Sequence, residues 1–194
     1  VAKSTLTDPY ALELFDKVGK TALRLDKLVN KLKAISLISA ETIDQGLVNL
    51  DDLISAQIKK WQPHFDKKNI NVNRHVNVKE TVNSCPDLLE IIFDNTIENS
   101  VNYCRSSNPE IDLIVDDDAT NLYLSIKDNG AGIGPKYHTS VFEMYFRAHE
   151  QSTGNGLGLY LVKKAVDRLK GSITLISGLG DGTTINITIP KQSQ

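Results

Sequence analysis

Two glycine clusters are the segments of this chain whose residue types and spacing are best suited to chemistry. The first runs from Asp128 to Gly134 with the sequence DNGAGIG, and the second runs from Gly154 to Leu159 with the sequence GNGLGL. Each glycine gives up more backbone freedom on folding than any other residue, so clusters of this kind cost stability. They usually serve close approach of the backbone to a ligand, most often a phosphate. Together with the side-chain amides of Asn95 and Asn99 upstream, they predict a nucleotide site.

Neither cluster matches a known phosphate loop by itself. The second lacks the Gly-Lys-Ser/Thr ending of a P-loop. The first has a glycine at every second position and leads into Pro135 rather than into a helix, and no βαβ unit surrounds it, which disfavours a dinucleotide fold. Taken singly, each cluster is as readily explained as a turn. The order of motifs along the chain is more specific than either cluster.

Five motifs follow one another along the chain. They are Asn95-x-x-x-Asn99-Ser100-x-x-Tyr103, Asp128-x-Gly130-x-Gly132, Val141 to Arg147 (VFEMYFR), Gly154-x-Gly156-Leu157-Gly158-Leu159, and Gly180-x-Gly182-Thr183. Their order and spacing resemble the asparagine, glycine and phenylalanine boxes of the ATP-binding catalytic domain of sensor histidine kinases, over roughly residues 50–190. The resemblance implies an α+β fold, a two-layer α/β sandwich with a mixed β-sheet and an ATP lid, which gyrase-type and chaperone ATPases share.

The composition excludes several classes of protein. The 194 residues suit one domain with an appendage, and 22 Lys and Arg nearly balance 24 Asp and Glu. This balance leaves no basic surface for nucleic acid or for an anionic membrane. No apolar run approaches the length of a membrane span, and Cys85 and Cys104 are too few for a disulfide framework. Since the chain starts at Val1 without methionine, we expect a soluble, cytoplasmic piece of a longer protein, such as a membrane-anchored sensor.

The first forty residues predict a long helix with a heptad seam. Apolar residues recur at alternating spacings of three and four, which is typical of a coiled coil and requires a partner helix. They are Phe15, Val18, Ala22, Leu25, Val29 and Leu32. The alternative is an amphipathic helix that packs on its own domain. The family resemblance favours the second helix of a truncated dimerisation hairpin over 1–42, ahead of an ATP-binding catalytic domain over 43–194, and it implies a homodimer.

The remaining elements follow from apolar periodicity and from turn residues. We predict a linker over 39–49, followed by a helix that is capped by Asp51 or Asp52 and runs towards Asp66. A second helix should start at Ser84 to Pro86 and end near Tyr103, a mobile lid should cover 135–153, and a third helix should cover 156–169. The predicted strands are 69–78, 110–115, 122–127, 172–176 and 183–189.

The resemblance also assigns roles to individual residues. Amide oxygens are hard ligands suited to Mg²⁺, and Asn95 and Asn99 would share one face of a helix. By resemblance, Asn99 binds the metal with support from Asn95, Asp128 accepts a hydrogen bond from the adenine amine, and Arg147 clamps the γ-phosphate. We therefore expect ATP and Mg²⁺, with Asn99 and Arg147 as the catalytic residues. The full set of expected nucleotide contacts is Asn95, Asn99, Asn102, Tyr103, Asp128, Gly130, Gly132, Ile133, Gly134, Gly154, Gly156, Leu157, Gly158 and Thr183, where Asn102 replaces a lysine that is common in the family.

The choice of reaction depends on Asn95. Gyrase-type relatives hydrolyse ATP with a glutamate at this position, and an amide cannot act as a general base. This favours a protein-histidine kinase, in which positioning and charge stabilisation dominate phosphoryl transfer. Its phosphoacceptor should lie outside this chain, because none of its histidines has the acidic residue and proline of the family's acceptor motif; they are His64, His75, His138 and His149. The expected partners are then an acceptor hairpin and a response regulator. A non-catalytic ATP-binding module and a gyrase-type ATPase remain the alternatives.

Overall fold

The computed structural model describes residues 8–78, 81–105, 107–148 and 154–191. Within these ranges the helices are α1 (Pro9–Ile38), α2 (Leu50–Lys68), α3 (Pro86–Tyr103) and α4 (Gly158–Arg168), with short 3₁₀ turns at Pro135–Tyr137 and Ser140–Phe142. The strands are β1 (Gly46–Val48), β2 (Asn71–Val76), β3 (Val82–Ser84), β4 (Glu110–Asp117), β5 (Asn121–Asp128), β6 (Ser172–Gly178) and β7 (Gly182–Pro190). No helix of the described part is both long enough and apolar enough to cross a lipid bilayer.

A five-stranded mixed sheet carries the core. Its strand order is β2-β4-β5-β7-β6, with β2 parallel to β4 and every other neighbour antiparallel. Buried and exposed residues alternate along β4 and β5, which shows that one face of the sheet is covered and the other is open. The covered face packs on α2, α3 and α4 in a single apolar cluster. This is the mixed-sheet α/β sandwich that the sequence predicts.

A second, small sheet was not predicted. The expected linker over 39–49 contains β1, which pairs antiparallel with β3 so that Val48 faces Val82. Both valines are buried. Three residues are too few to show a period of two, so this strand carries no sequence signal of its own. The linker prediction is therefore wrong for Gly46–Val48.

The helix caps differ by one to three residues from the predicted ones. The side chain of Asn49, not that of Asp51 or Asp52, caps α2 by accepting hydrogen bonds from both of their backbone N–H groups, at 3.0 and 3.2 Å. The two aspartates occupy the first turn, where their negative charge interacts favourably with the positive end of the helix dipole. At α3, Ser84 ends β3, and Cys85 precedes Pro86 without a side-chain capping bond.

The heptad seam of α1 faces solvent along its length. Phe15, Val18, Leu25, Val29 and Leu32 are all exposed. The C-terminal part of the same helix instead packs on the domain: Ile38 is buried, and Ala34 and Ile35 contact the core cluster. The C-terminal end of α1 thus packs on its own domain, as the alternative interpretation of this helix predicts. The seam remains a surface that a second helix could cover.

Replacement of Asn49 tests the capping assignment. Asn49→Ala should lower the free energy of unfolding by about 1 kcal/mol, because two N–H groups at the start of α2 lose their acceptor. Asn49→Ser keeps an accepting oxygen and should lose much less. Urea unfolding followed by circular dichroism measures both. Equal losses for the two variants would contradict the capping role.

Candidate functional site

A cavity of about 900 Å³ lies between α1, α3, the two glycine clusters and the end of the sheet. Its volume falls within the range of about 300–1,000 Å³ that is usual for small-molecule sites. Most of the residues expected to bind a nucleotide line it together. They are Asn99, Asn102, Tyr103, Asp128, Gly132, Ile133, Arg147, Gly154, Gly156, Gly158 and Thr183.

Four of the expected contact residues do not line this cavity, and each has a structural role nearby. Leu157 is fully buried immediately before α4. Gly130 lies against the backbone of Tyr103, whose carbonyl accepts a hydrogen bond from Ala131 N at 2.9 Å. A Cβ added at Gly134 would contact the side chain of Leu179, and Asn95 is buried with 3% of its surface exposed.

Asp128 is the buried carboxylate of the site. It ends β5 with 8% of its surface exposed. Its Oδ1 accepts a hydrogen bond from Gly130 N at 2.9 Å, and its Oδ2 accepts one from Ser100 Oγ at 3.1 Å. Burial raises the pKa of Asp128 above its ordinary value, although hydrogen bonds from Gly130, Ser100 and the backbone of Thr183 oppose the shift. Ser100 had no predicted role, and its position beside Asn99 is the one signal in the sequence that could have indicated it.

The first glycine cluster packs tightly, backbone against backbone, on the turn between β6 and β7. Gly132 has φ +69°, and a Cβ there would collide with the carbonyl oxygen of Gly178. Gly182 has φ +87°, and a Cβ there would collide with the carbonyl oxygen of Asp128. Gly180 N donates to Ala131 O at 2.8 Å across the same contact. These glycines are therefore required first by backbone packing, which fixes the turn beside Asp128.

The second glycine cluster positions the N-terminus of α4. Gly156 has φ +69° and its carbonyl accepts a hydrogen bond from Tyr145 N at 3.0 Å. Gly158 opens the helix, and a Cβ there would lie 3.4 Å from both terminal atoms of the Asn99 amide. The free N–H groups of this helix end, which lines the cavity at Gly158, form a site suited to an anion.

The segment between the clusters is described as far as Ala148. The predicted lid over 135–153 thus lies partly outside the described residues, as does His149. Its described part contains the two 3₁₀ turns, and the rings of Tyr137 and Phe146 pack at 5.6 Å. Arg147 is exposed and lines the cavity.

The two asparagines of α3 have different environments. Asn95 donates from Nδ2 to Ile91 O at 2.7 Å, and its Oδ1 accepts a hydrogen bond from Lys31 Nζ. The Nδ2 of Asn99 is buried and has no hydrogen-bond partner among the described residues. An unpaired amide on a cavity wall fits a ligand-facing role, and its oxygen suits Mg²⁺ held mainly by water and phosphate. Among the described residues no group of three His, Cys, Asp or Glu side chains could hold a metal.

One wall of the cavity belongs to α1, which sequence analysis did not assign to the site. Lys20, Arg24, Lys27 and Lys31 all line it. Their spacings of four, three and four residues place them on one helical face, roughly opposite the exposed apolar seam. This basic stripe is visible in the sequence, and it is the signal from which these four residues could have been predicted to line the site. Lys31 and Lys27 both bind Glu98, at 2.6 and 3.4 Å.

A comparison with protein families agrees with this geometry. The family model described as histidine kinase-, DNA gyrase B- and HSP90-like ATPase matches residues 85–193. The chain belongs to this ATPase family. Membership implies that the chain binds ATP, and the matched residues include α3, both glycine clusters and α4.

Named relatives of this ATPase are kinases or sensors. The histidine protein kinase SaeS of Staphylococcus epidermidis is 28% identical over 203 residues, which cover 96% of this chain and 55% of the relative. Sensor protein SrrB of Staphylococcus aureus is 29% identical over 174 residues, which cover 87% of this chain and 30% of the relative. The chain thus spans about half the length of SaeS and 30% of the length of SrrB.

Solved structures share the ATPase fold and its leading helix. Histidine kinase AdeS of Acinetobacter baumannii matches with a TM-score of 0.78 at 19% identity, over 97% of this chain and 87% of that one. Full-length ShkA in complex with AMPPNP matches with a TM-score of 0.81 at 19% identity, over 99% of this chain and 41% of that one. These matches confirm the predicted mixed α/β fold that follows a long helix.

Substitution of Gly132 tests the packing of the first glycine cluster in this ATPase. Gly132→Ala should lower the free energy of unfolding by about 2–4 kcal/mol, because it forces a side chain into a positive-φ position against a backbone carbonyl. Gly154→Ala is the matched control, since no described atom other than those of its chain neighbours lies within 4 Å of the added Cβ; it should change stability by less than about 0.5 kcal/mol. Urea unfolding measures the change in the free energy of unfolding for both variants. A tolerated alanine at Gly132 would contradict the interlocked turn.

Asp128 gives a pH-dependent prediction. Folding raises its pKa above the ordinary 3.8, so the folded chain binds this proton more tightly than the unfolded chain. Its contribution to stability is complete below the ordinary pKa and is lost as the pH rises through the raised one. At pH 7, Asp128→Asn should therefore be at least as stable as the wild type, and any advantage should disappear below about pH 4. Urea unfolding between pH 3.5 and pH 8 measures this.

The same variant should bind ATP about tenfold more weakly or worse, because a charged hydrogen-bond acceptor is lost from a buried site. Isothermal titration calorimetry measures the affinity. A folded Asp128→Asn variant with unchanged affinity would remove this carboxylate from the list of nucleotide ligands.

Proposed function

We propose that residues 43–194 form the ATP-binding catalytic region of a two-component sensor histidine kinase, which transfers the γ-phosphoryl group of ATP to a histidine outside this chain. One observation carries the proposal. The same cavity joins the buried carboxylate of Asp128 to the glycine-opened N-terminus of α4 and the unpaired amide of Asn99. The cavity thus offers both an acceptor for an amine and donors for phosphates.

Each group has a defined task in this proposal. Asp128, held rigid by Gly130 and Ser100, accepts a hydrogen bond from the exocyclic amine of adenine, and Tyr103 and Ile133 supply the wall beside the base. The N-terminus of α4 binds the phosphates, and Arg147 places positive charge at their outer end. Asn99 and Asn95 would hold Mg²⁺, which when bound neutralises charge on the phosphates.

Transfer is favoured over hydrolysis because the described part of the cavity offers no free carboxylate base near Asn99. The amide of Asn95 cannot accept a proton. Glu98, the neighbouring carboxylate, is bound by Lys31 at 2.6 Å and by Lys27 at 3.4 Å. The similarity to a named histidine protein kinase over 96% of this chain also favours the kinase. The gyrase-type ATPase is the weaker alternative for both reasons.

The leading helix supports the rest of the assignment. Residues 1–42 would be the second helix of a dimerisation hairpin, and the exposed seam from Phe15 to Leu32 would pair with other helices of a homodimer. The partners are then an acceptor histidine on that hairpin and a response regulator that receives the phosphoryl group. Because ATP is the substrate, we place this region in the cytoplasm.

Labelling with γ-³²P ATP tests the proposal. With a separate histidine-bearing hairpin and Mg²⁺, label should move to the hairpin and none should appear on a histidine of this chain. Transfer supports the kinase; binding without transfer would support a non-catalytic module, and steady phosphate release without an acceptor would support an ATPase.

Asn99→Ala should weaken binding of Mg·ATP by about 10- to 100-fold, since it removes a proposed metal ligand. Asn77→Ala is the matched control, because Asn77 is exposed beyond the end of β2 and does not line the cavity. Titration calorimetry measures both variants, and equal affinities would contradict the assigned role of Asn99.

A further inference from the structure

Ser100 directs its hydroxyl away from the usual partner of a helical serine. A serine or threonine within a helix commonly donates to the carbonyl four residues earlier, and Thr96 on the same helix does so, to Ile92 O at 2.7 Å. Ser100 Oγ instead donates to Asp128 Oδ2, at 3.1 Å and 28 residues away in the sequence. Ser100 has 3% of its surface exposed and lines the cavity. Its hydroxyl is therefore committed to the carboxylate of the site rather than to its own helix.

The carboxylate of Asp128 is almost fully supplied with donors by the protein. An ionised carboxylate has about four positions for donors, two on each oxygen. Gly130 N donates to Oδ1 at 2.9 Å and Ser100 Oγ donates to Oδ2, and the backbone of Thr183 adds a third hydrogen bond. About one position is then left for a ligand. A fork of two parallel N–H groups needs a free position on each oxygen, so this carboxylate cannot accept one.

We propose that Ser100 is a specificity-determining residue, which restricts Asp128 to a single donor of the ligand and thereby selects 6-aminopurine nucleotides against guanine nucleotides. This inference rests on the proposed function and extends it from the binding of ATP to the rejection of a competitor. Adenine presents one donor, its 6-amino group, beside the acceptor N1. Guanine presents two adjacent donors, N1–H and the 2-amino group, which match an unfilled carboxylate. With Ser100 in place, one of the two guanine donors would be buried without an acceptor.

The burial of Asp128 makes the number of its donors decisive. The residue has 8% of its surface exposed, and burial raises its pKa, because little water reaches the carboxylate to stabilise its charge. Loss of the Ser100 hydroxyl would leave a buried acceptor position unfilled, and a ligand that carries a second donor would gain most from that position. The hydroxyl of Ser100 therefore acts on selectivity through Asp128.

Ser100→Ala tests the inference in this chain, with Mg²⁺ and the three nucleoside triphosphates ATP, GTP and ITP. Titration calorimetry gives the affinity for ATP, and displacement of bound ATP gives the weaker affinities. The preference for ATP over GTP should fall about tenfold or more, because guanine gains a hydrogen bond to a charged acceptor. ITP carries N1–H but no 2-amino group, so its affinity relative to ATP should stay as in the wild type.

Three further variants serve as controls. Ser100→Thr keeps the hydroxyl and should retain the wild-type ratio. Ser125→Ala removes a hydroxyl from the strand of Asp128, but Ser125 donates to Asn186 Oδ1 at 2.7 Å and does not line the cavity, so the affinities should not change. In an Asp128→Asn background, Ser100→Ala should no longer change the ratio, since the hydroxyl acts through the carboxylate. Circular dichroism checks that each variant is folded.

The outcomes separate this inference from the proposed function. A lower preference for ATP over GTP in Ser100→Ala, with unchanged relative binding of ITP, supports the inference. An unchanged preference, an equal gain for GTP and ITP, an equal loss for all three nucleotides, or the same fall in the Asp128→Asn background overturns it. Phosphoryl transfer from ATP would still support the proposed function in each of these cases. If the wild type binds none of the three nucleotides, the proposed function fails, and this inference fails with it.

Discussion

The site depends on one buried carboxylate and the three elements that hold it. Asp128 ends a central strand of the sheet and accepts hydrogen bonds from Ser100 of α3 and from Gly130 of the following turn, with a further one from the backbone of Thr183 on β7. Burial opposes its charge, as the raised pKa shows. The fold therefore maintains an anion in an apolar surround and uses donors from three directions to keep it fixed. A rigid acceptor of this kind can select a ligand by one hydrogen bond.

The glycines of the site serve the fold before they serve a ligand. Gly132 and Gly182 adopt positive φ and allow the turn after β5 to contact the β6–β7 turn through backbone atoms. Gly156 does the same between the second cluster and Tyr145. Only Gly158 both opens a helix and faces Asn99. The glycine pattern thus reflects two constraints at once, close packing of turns and an open helix end.

The sequence predicted what depends on long periods and on motif order, and it missed what depends on contacts between distant segments. The helices α3 and α4 were predicted because their patterns extend over many residues, and the mixed sheet was implied by the family resemblance of the ordered motifs. The strand Gly46–Val48 was not, since its only support is the pairing with β3. Ser100 was missed for the same reason, because its partner Asp128 lies far away in the sequence. The basic stripe of α1 is visible in the sequence, but its contact with Glu98 of α3 is not. Asn49 and Asp51 are residue types that cap helices equally well, so the sequence did not distinguish them, and the local backbone geometry decides for Asn49.

The basic and the apolar residues of α1 lie on two separate faces of the helix. The apolar seam that includes Val18 and Leu25 is open to solvent, while the basic stripe from Lys20 to Lys31 faces a cavity that carries Glu98 and Asp128. The two faces of α1 therefore have different surroundings, solvent on the side of the apolar seam and the cavity on the side of the basic stripe. Lys31 joins the basic stripe to α3, because its side chain is only 12% exposed and its Nζ lies 2.6 Å from Glu98 Oε2. A buried ion pair of this kind fixes the helix more firmly than the exposed pair between Lys27 and Glu98 does, since water screens the exposed pair.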